Sequence, residues 1–243
     1  MAAAAKQLAE VCTGLARSPA QRLPGDARAV VACLLRRPPL TLESLDMFFI
    51  LRAHRTSGSH GDRWSGQVGF PGGHVEADES DHEAVSRECL EEVGLSLDKP
   101  GAFRFLGCVK ERRVPRSGST LVVACRVYEQ LERQVPERLE AKEVAACGWA
   151  PLSVLLPEDC AQPLDWSGRH KDEASTAWDG YPSVQLPIVD LQMVGAGCST
   201  AQVRKDFVLW GLTLNIINDL LQTTGLRRAP IELRKSGAKV SKL

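Results

Sequence analysis

Residues 73–95 read Gly73-His74-Val75-Glu76-Ala77-Asp78-Glu79-Ser80-Asp81-His82-Glu83-Ala84-Val85-Ser86-Arg87-Glu88-Cys89-Leu90-Glu91-Glu92-Val93-Gly94-Leu95. The stretch carries its own helix signals. Ser80-Asp81-His82-Glu83 matches a capping box, in which the serine hydroxyl accepts from the Glu83 amide and the glutamate reaches back to the serine amide. Gly94 stands where a left-handed residue ends a helix. Between these stops, Val85, Cys89 and Val93 repeat at i, i+4 and i+8 and predict an apolar stripe facing a core. Glu88, Glu91 and Glu92 are spaced i, i+3, i+4 and are expected on a different face. Carboxylates about 6 Å apart repel by about 3 kcal/mol per pair at an effective dielectric near ~20. A divalent cation relieves that cost, and hard oxygen ligands on one helix face suit Mg²⁺ or Mn²⁺.

Working outward, short apolar, partly β-branched runs predict strands at Ala27–Leu35 and Asp46–Arg52. Trp64–Phe70 leads into the turn Pro71-Gly72-Gly73. After the acidic helix, Phe103–Lys110, Ser119–Tyr128 and Glu143–Trp149 are strand candidates, followed by a helix-like Pro151–Leu156. Strands interleaved with helices predict an α/β sandwich with a mixed sheet. Asp206–Thr223 places Phe207, Val208, Leu209, Leu212, Ile216, Ile217, Leu220 and Leu221 at helical spacing, which predicts a docking helix. The polar stretch Asp165–Pro187, with Trp166, Trp178 and Tyr181, reads as a loop over the site or a surface excursion.

The acidic segment resembles the Nudix box, G-x5-E-x7-R-E-U-x-E-E-x-G-U with U apolar. Gly73, Glu79, Arg87, Glu88, Glu91, Glu92 and Gly94 fill its fixed positions, and Cys89 and Leu95 its apolar ones. At ordinary residue frequencies, a chance match is below about one in a million. A solvated acidic helix face accounts for the three glutamates but not for the glycines, Glu79 and Arg87 at their set distances. The resemblance implies an α/β/α sandwich with a mixed β-sheet over residues 27–157. It implies Glu88 and Glu92 as primary metal ligands, Glu91 as a further or water-mediated ligand, and Gly72 as a carbonyl donor. Arg87 would orient the carboxylates by bidentate pairing, with Glu79 completing that network. The implied reaction is metal-assisted attack of water on a nucleoside diphosphate linked to another moiety. For the general base, either Glu143 or a motif glutamate serves.

The run Gly66-Gln67-Val68-Gly69-Phe70-Pro71-Gly72-Gly73 resembles the G-x3-F-P-G-G segment ahead of the box in coenzyme A diphosphatases. Leu209-Trp210-Gly211-Leu212-Thr213 resembles the start of that group's C-terminal helix. The group's upstream arginine-rich element is not matched in register, and residues 56–63 carry extra length. The resemblance implies Phe70 and Gly73 at the substrate, with Arg52, Arg55 and Arg63 available to its phosphates, a 3′-phosphate included. The expected substrate is coenzyme A or an acyl ester, cut to 3′,5′-ADP and a 4′-phosphopantetheine. Alternatives are NADH or ADP-ribose as substrate, or a Nudix fold kept as a binding module without turnover.

At 243 residues, the chain fits one domain with extensions. These are an N-terminal segment 1–26, the domain 27–157, a segment 158–226 bearing the docking helix, and a basic tail 227–243. The net charge of zero gives nucleic acid no basic field to follow, and no apolar run approaches bilayer-spanning length. Eight cysteines without a Cys-x-x-Cys pair point to reduced thiols rather than a zinc site. The opening segment, with Lys6, Arg17 and Arg22, is expected to pack as a helix, with a mitochondrial presequence as the alternative. The tail holds Ser241-Lys242-Leu243, the tripeptide read by the peroxisomal import receptor, so peroxisomal or microbody residence and that receptor as partner are expected. Oligomeric state is not legible.

Overall fold

The computed structural model describes residues 3–38, 43–54, 64–136, 138–165, 179–194 and 199–232. The first apolar run becomes β1 (Ala27–Arg36) and the second β2 (Asp46–Arg52). They pair antiparallel at Leu35↔Met47 and then diverge. The opening between them takes β3 (Val68–Gly69), paired to β2 at Ile50 and Leu51, and β4 (Gly72–His74), paired to β1 at Ala29–Val31. This wedge carries the glycine turn to the mouth of the sheet, which is what positions the site. The acidic helix α2 spans Asp81–Val93.

Beyond it run β5 (Phe103–Arg116), β6 (Ser119–Gln130) and β7 (Val144–Pro151). With β10 (Val189–Met193) they complete a mixed eight-stranded sheet of order β10-β7-β2-β1-β6-β5, with β3 and β4 off that path. β1 and β6 are parallel and the other pairs antiparallel. Strand alternation divides the core into two layers. Val30, Ala32, Leu34, Phe48 and Ile50 face α2, meeting its buried Val85, Cys89 and Val93. Ala29, Cys33, Leu35, Met47 and Phe49 face the opposite layer. That layer holds α1 (Ala3–Arg17), which buries Ala4, Leu8, Val11 and Leu15, and α4 (Gly211–Thr224), which buries Leu214, Ile217, Leu220 and Leu221. The fold is an α/β/α sandwich.

Three expectations are corrected. Asp206–Thr223 is not one helix: Val208–Trp210 is a strand, β11, paired with β9 (Pro182–Gln185), and α4 starts at Gly211 with φ of 60°. Three consecutive buried apolar residues satisfy helix and strand patterns equally, and cross-strand pairing decided between them. β9 also pairs with the short β8 (Gln162–Pro163), and the remaining short helix α3 is Thr200–Asp206. Pro151–Leu156 forms only a single 3-10 turn at Leu152–Leu155. The strand expected at Phe103–Lys110 continues to Arg116 through two irregularities, because β6 offers partners along its whole length.

Residues 166–178, part of the expected loop over the site, lie outside the described residues, as do Arg55, Arg63 and Ser241-Lys242-Leu243. The seven described cysteines form no disulfide. No helix among the described residues is long and apolar enough to cross a membrane.

Candidate metal centre and adjoining cleft

The capping box is formed: Ser80 Oγ accepts from the Glu83 amide at 3.2 Å, and the Ser80 amide donates to Glu83 Oε2 at 2.8 Å. At the other end Gly94, with φ of 67°, donates its amide to the Leu90 carbonyl, and the Leu95 amide donates to the Cys89 carbonyl. The helix is thus fixed at both ends, and its docking on the sheet decides where each glutamate goes. At roughly 100° per residue, Glu92 lies about 40° from Glu88 while Glu91 lies about 100° from Glu92. Glu92 is therefore rolled under the helix, 1% exposed, and Glu91 is left in solvent.

Glu88, Glu92 and Glu143 each offer a carboxylate oxygen within 4.8 Å of the other two. Glu143 arrives from the loop before β7. The Ala53 amide donates to its carbonyl at 2.8 Å, and the Glu140 amide donates to the Glu92 carbonyl at 3.0 Å, binding that loop to the end of α2. Glu91 stands outside the trio, with Oε2 accepting from Arg87 Nη1 at 3.2 Å. The structure thus unites the expected ligands Glu88 and Glu92 with the candidate base Glu143, and does not bring Glu91 to them.

Glycine makes the room. A Cβ on Gly73 would fall 2.3 Å from Glu88 Oε1, so the carboxylate occupies the space a side chain would take. Gly72, with φ of 143°, donates its amide to Glu92 Oε2 at 2.8 Å, and a Cβ there would strike the Val30 carbonyl oxygen. Gly72 thus meets the trio through its amide.

Arg87 ties the box together. Its Nε and Nη2 fork onto Glu79 at 2.8 and 3.0 Å, Nη1 donates to Glu88 Oε1 at 3.0 Å, and Nη2 to the His74 carbonyl at 3.1 Å. The fork, with the Glu76 amide, draws the Glu79 carboxyl down to about 2. Glu92 moves the other way. Burial pushes it up to about 8 against the Gly72 amide and the Arg52 charge, whose Nη1 lies 3.6 Å from Oε1. Burial raises Glu88 as well, opposed by Arg87. Two desolvated carboxyls beside a third form a hard-oxygen donor set that fits a divalent cation. When bound, such a cation supplies Lewis acidity toward phosphoryl oxygens and toward water.

Arg52, Gly72 and Gly73 also line a cleft on the α4 side of the sheet. Its floor is apolar: Ala29 and Val31 of β1, Leu121 and Val123 of β6, and Leu212 and Ile216 of α4. One wall is the segment Gln67–Phe70, braced by Phe70 stacked on Phe49 at 5.5 Å and by Thr213 Oγ1 donating to the Val68 carbonyl at 3.2 Å. Two polar residues not anticipated from sequence also line it, His74 and Arg116. Arg116 Nη2 approaches His74 Nε2 at 3.2 Å, and burial, Arg116 and Arg52 together lower the histidine pKa. The available signal was alternation along Arg112-Arg113-Val114-Pro115-Arg116, which puts 112, 114 and 116 on one face once the strand extends past Lys110.

Residues 27–169, more than half of the chain, match the NUDIX domain family. The chain belongs to the NUDIX domain family. Nudix hydrolases act on nucleoside diphosphate derivatives and generally use divalent metals. The chain is also 36% identical over 102 residues to an uncharacterized protein of Schizosaccharomyces pombe, a match spanning 41% of this chain and 31% of that protein. Among solved structures, it is similar to an Ap4A hydrolase of C. elegans in a binary complex (15% identity, 53% of this chain, 82% of that chain, TM-score 0.42). It is also similar to a MutT NUDIX hydrolase from Burkholderia pseudomallei (24% identity, 59% of this chain, 92% of that chain, TM-score 0.39). The NUDIX domain of Shewanella oneidensis NrtR complexed with ADP ribose is a further likeness (19% identity, 59% and 84% coverage, TM-score 0.38).

Proposed function

We propose that this Nudix chain is a pyrophosphohydrolase that uses Mg²⁺ or Mn²⁺ to cut the diphosphate of coenzyme A or its acyl esters, releasing 3′,5′-ADP and (acyl-)4′-phosphopantetheine. One observation carries the substrate class. The segment resembling coenzyme A diphosphatases, Gly66–Gly73, walls the apolar cleft and supplies the two glycines against which Glu88 and Glu92 are set. A ligand in the cleft therefore places its diphosphate beside the carboxylate trio. Glu88 and Glu92 hold the cation, Arg87 and Glu79 fix the Glu88 carboxylate, and Arg52 offers charge to a phosphate. Glu143 accepts a proton from the attacking water, whose oxygen bonds to one phosphorus as the bridging P–O bond to that phosphorus breaks and the departing phosphate keeps the bridging oxygen.

The test is a panel of coenzyme A, acyl-coenzyme A, dephospho-coenzyme A, NADH, ADP-ribose, diadenosine polyphosphates and capped RNA, with products identified by mass. Coenzyme A compounds should lead, metal-dependently, and Glu92→Gln should lose turnover. Equal, feeble cleavage of all members would defeat the assignment, and tight binding without turnover would favour a binding module. Peroxisomal or microbody residence belongs to the same proposal and rests on the tripeptide Ser241-Lys242-Leu243 alone. Altering that tripeptide should disperse a tagged chain into the cytosol.

A further inference from the structure

The cleft holds basic groups that hydrolysis of a diphosphate does not use. On β5, Arg112 and Arg116 share the face whose cross-strand partners on β6 include the floor residue Val123. Arg112 is already engaged, donating to the Asn215 carbonyl at 3.2 Å and pairing with Asp219 at 2.6 Å, so it fastens α4 to the sheet. Arg116 differs. Among the described residues its only hydrogen-bond partner is His74, and no carboxylate lies within ion-pair distance. Because a guanidinium only donates, His74 Nε2 accepts, which puts the ring proton on Nδ1. The neutral ring aims Arg116 without cancelling its charge. His74 in turn is fixed because its carbonyl receives Arg87, the residue that also holds Glu79 and Glu88.

We propose that Arg116, steered by His74 and facing the same cleft as Arg52, is a specificity-determining residue that takes a phosphomonoester on the substrate's ribose. The site deepens, and in its coenzyme A form rests on, the proposed function: a 3′-phosphoadenosine fits it, whereas a bare adenosine leaves Arg116 unused. The diphosphate itself is committed to the carboxylate trio, so a guanidinium at the β5 end of the cleft reads a different, non-scissile phosphate. Loss of one charge-assisted arginine–phosphate contact corresponds to about a 10- to 100-fold loss in affinity.

Binding and turnover together test this in the full chain. Affinities for adenosine 3′,5′-bisphosphate and for 5′-AMP are measured by calorimetry in the wild type, Arg116→Ala and Arg116→Lys. Arg113→Ala on the exposed face of the same strand is the control. The wild type should prefer the bisphosphate by about 10- to 100-fold. Arg116→Ala should bring that ratio close to one, Arg116→Lys should keep part of it, and Arg113→Ala should keep all of it. A preference that survives Arg116→Ala, or a wild type with none, overturns the proposal. A wild type that shows the preference but turns over no coenzyme A rejects the coenzyme A reading while still supporting the Arg116 site.

Discussion

Replacing Glu92 by glutamine should stabilise the metal-free protein and abolish its activity. Glu92 is 1% exposed, and burial lifts its pKa from the ordinary 4.5 to about 8. A carboxyl whose folded pKa lies above its unfolded value binds its proton more tightly when folded. Stability from this group is therefore complete below about pH 4.5, falls as pH rises, and levels off above about pH 8. Each pH unit between the two values costs about 1.4 kcal/mol, so at pH 7 the carboxyl withholds about 3 kcal/mol that a neutral amide restores. Glutamine keeps an oxygen for the Gly72 amide, so the 2.8 Å hydrogen bond survives. For a chain of this length, about 3 kcal/mol corresponds to a rise in Tm of about 6–12 °C. The assay is thermal unfolding of EDTA-treated wild type and variant from pH 5 to 9, repeated with Mg²⁺ or Mn²⁺. The gap between them should widen up to about pH 8, and metal should raise the Tm of the wild type alone. A variant that melts at or below the wild type throughout, or that gains as much from metal, would refute this account of the buried carboxyl.

Gly73→Ala should lower Mn²⁺ affinity, read by electron paramagnetic resonance, by about 10-fold or more while the circular dichroism stays native, since the new Cβ meets only the end of the Glu88 side chain and pushes its carboxylate off Arg87 rather than moving backbone. Gly72→Ala should instead destabilise the fold by about 2 kcal/mol or more in urea unfolding, because its Cβ meets the β1 backbone and its φ of 143° strains any L-residue. Arg87→Lys should cut turnover about 10-fold or more, since an ammonium cannot hold Glu79 and Glu88 through one fork, and Glu79→Gln added to it should cost little further in kcat. Glu91→Gln should change turnover less than about 10-fold, whereas Glu143→Gln should cost about 100-fold or more. Steady-state rates with the reverse ranking would return Glu91 to the metal set.

How much was legible follows from the range over which each signal acts. The cap serine, the terminal glycine and the Val85-Cys89-Val93 stripe act within a few residues, and α2 appeared with the boundaries they imply. The strands at 27 and 46 were equally readable, because they are buried apolar runs with clear breakers. The segment at 208–210 was not, since three adjacent apolar residues fit either period until β9 supplied a partner. His74 and Arg116 carried no motif of their own, and only the cleft gave them a common address.

By itself the chain determined the NUDIX domain, the helix that bears its glutamates, and the glycine turn ahead of it, all through local spacing and capping. Only the tertiary structure decided which carboxylates meet. Docking α2 on the sheet buried Glu92 and turned Glu91 outward, and the loop before β7 brought Glu143 from half a hundred residues away. Helical periodicity fixes angles between neighbours but not which side of the helix the sheet will cover. That choice belongs to the packing of distant strands.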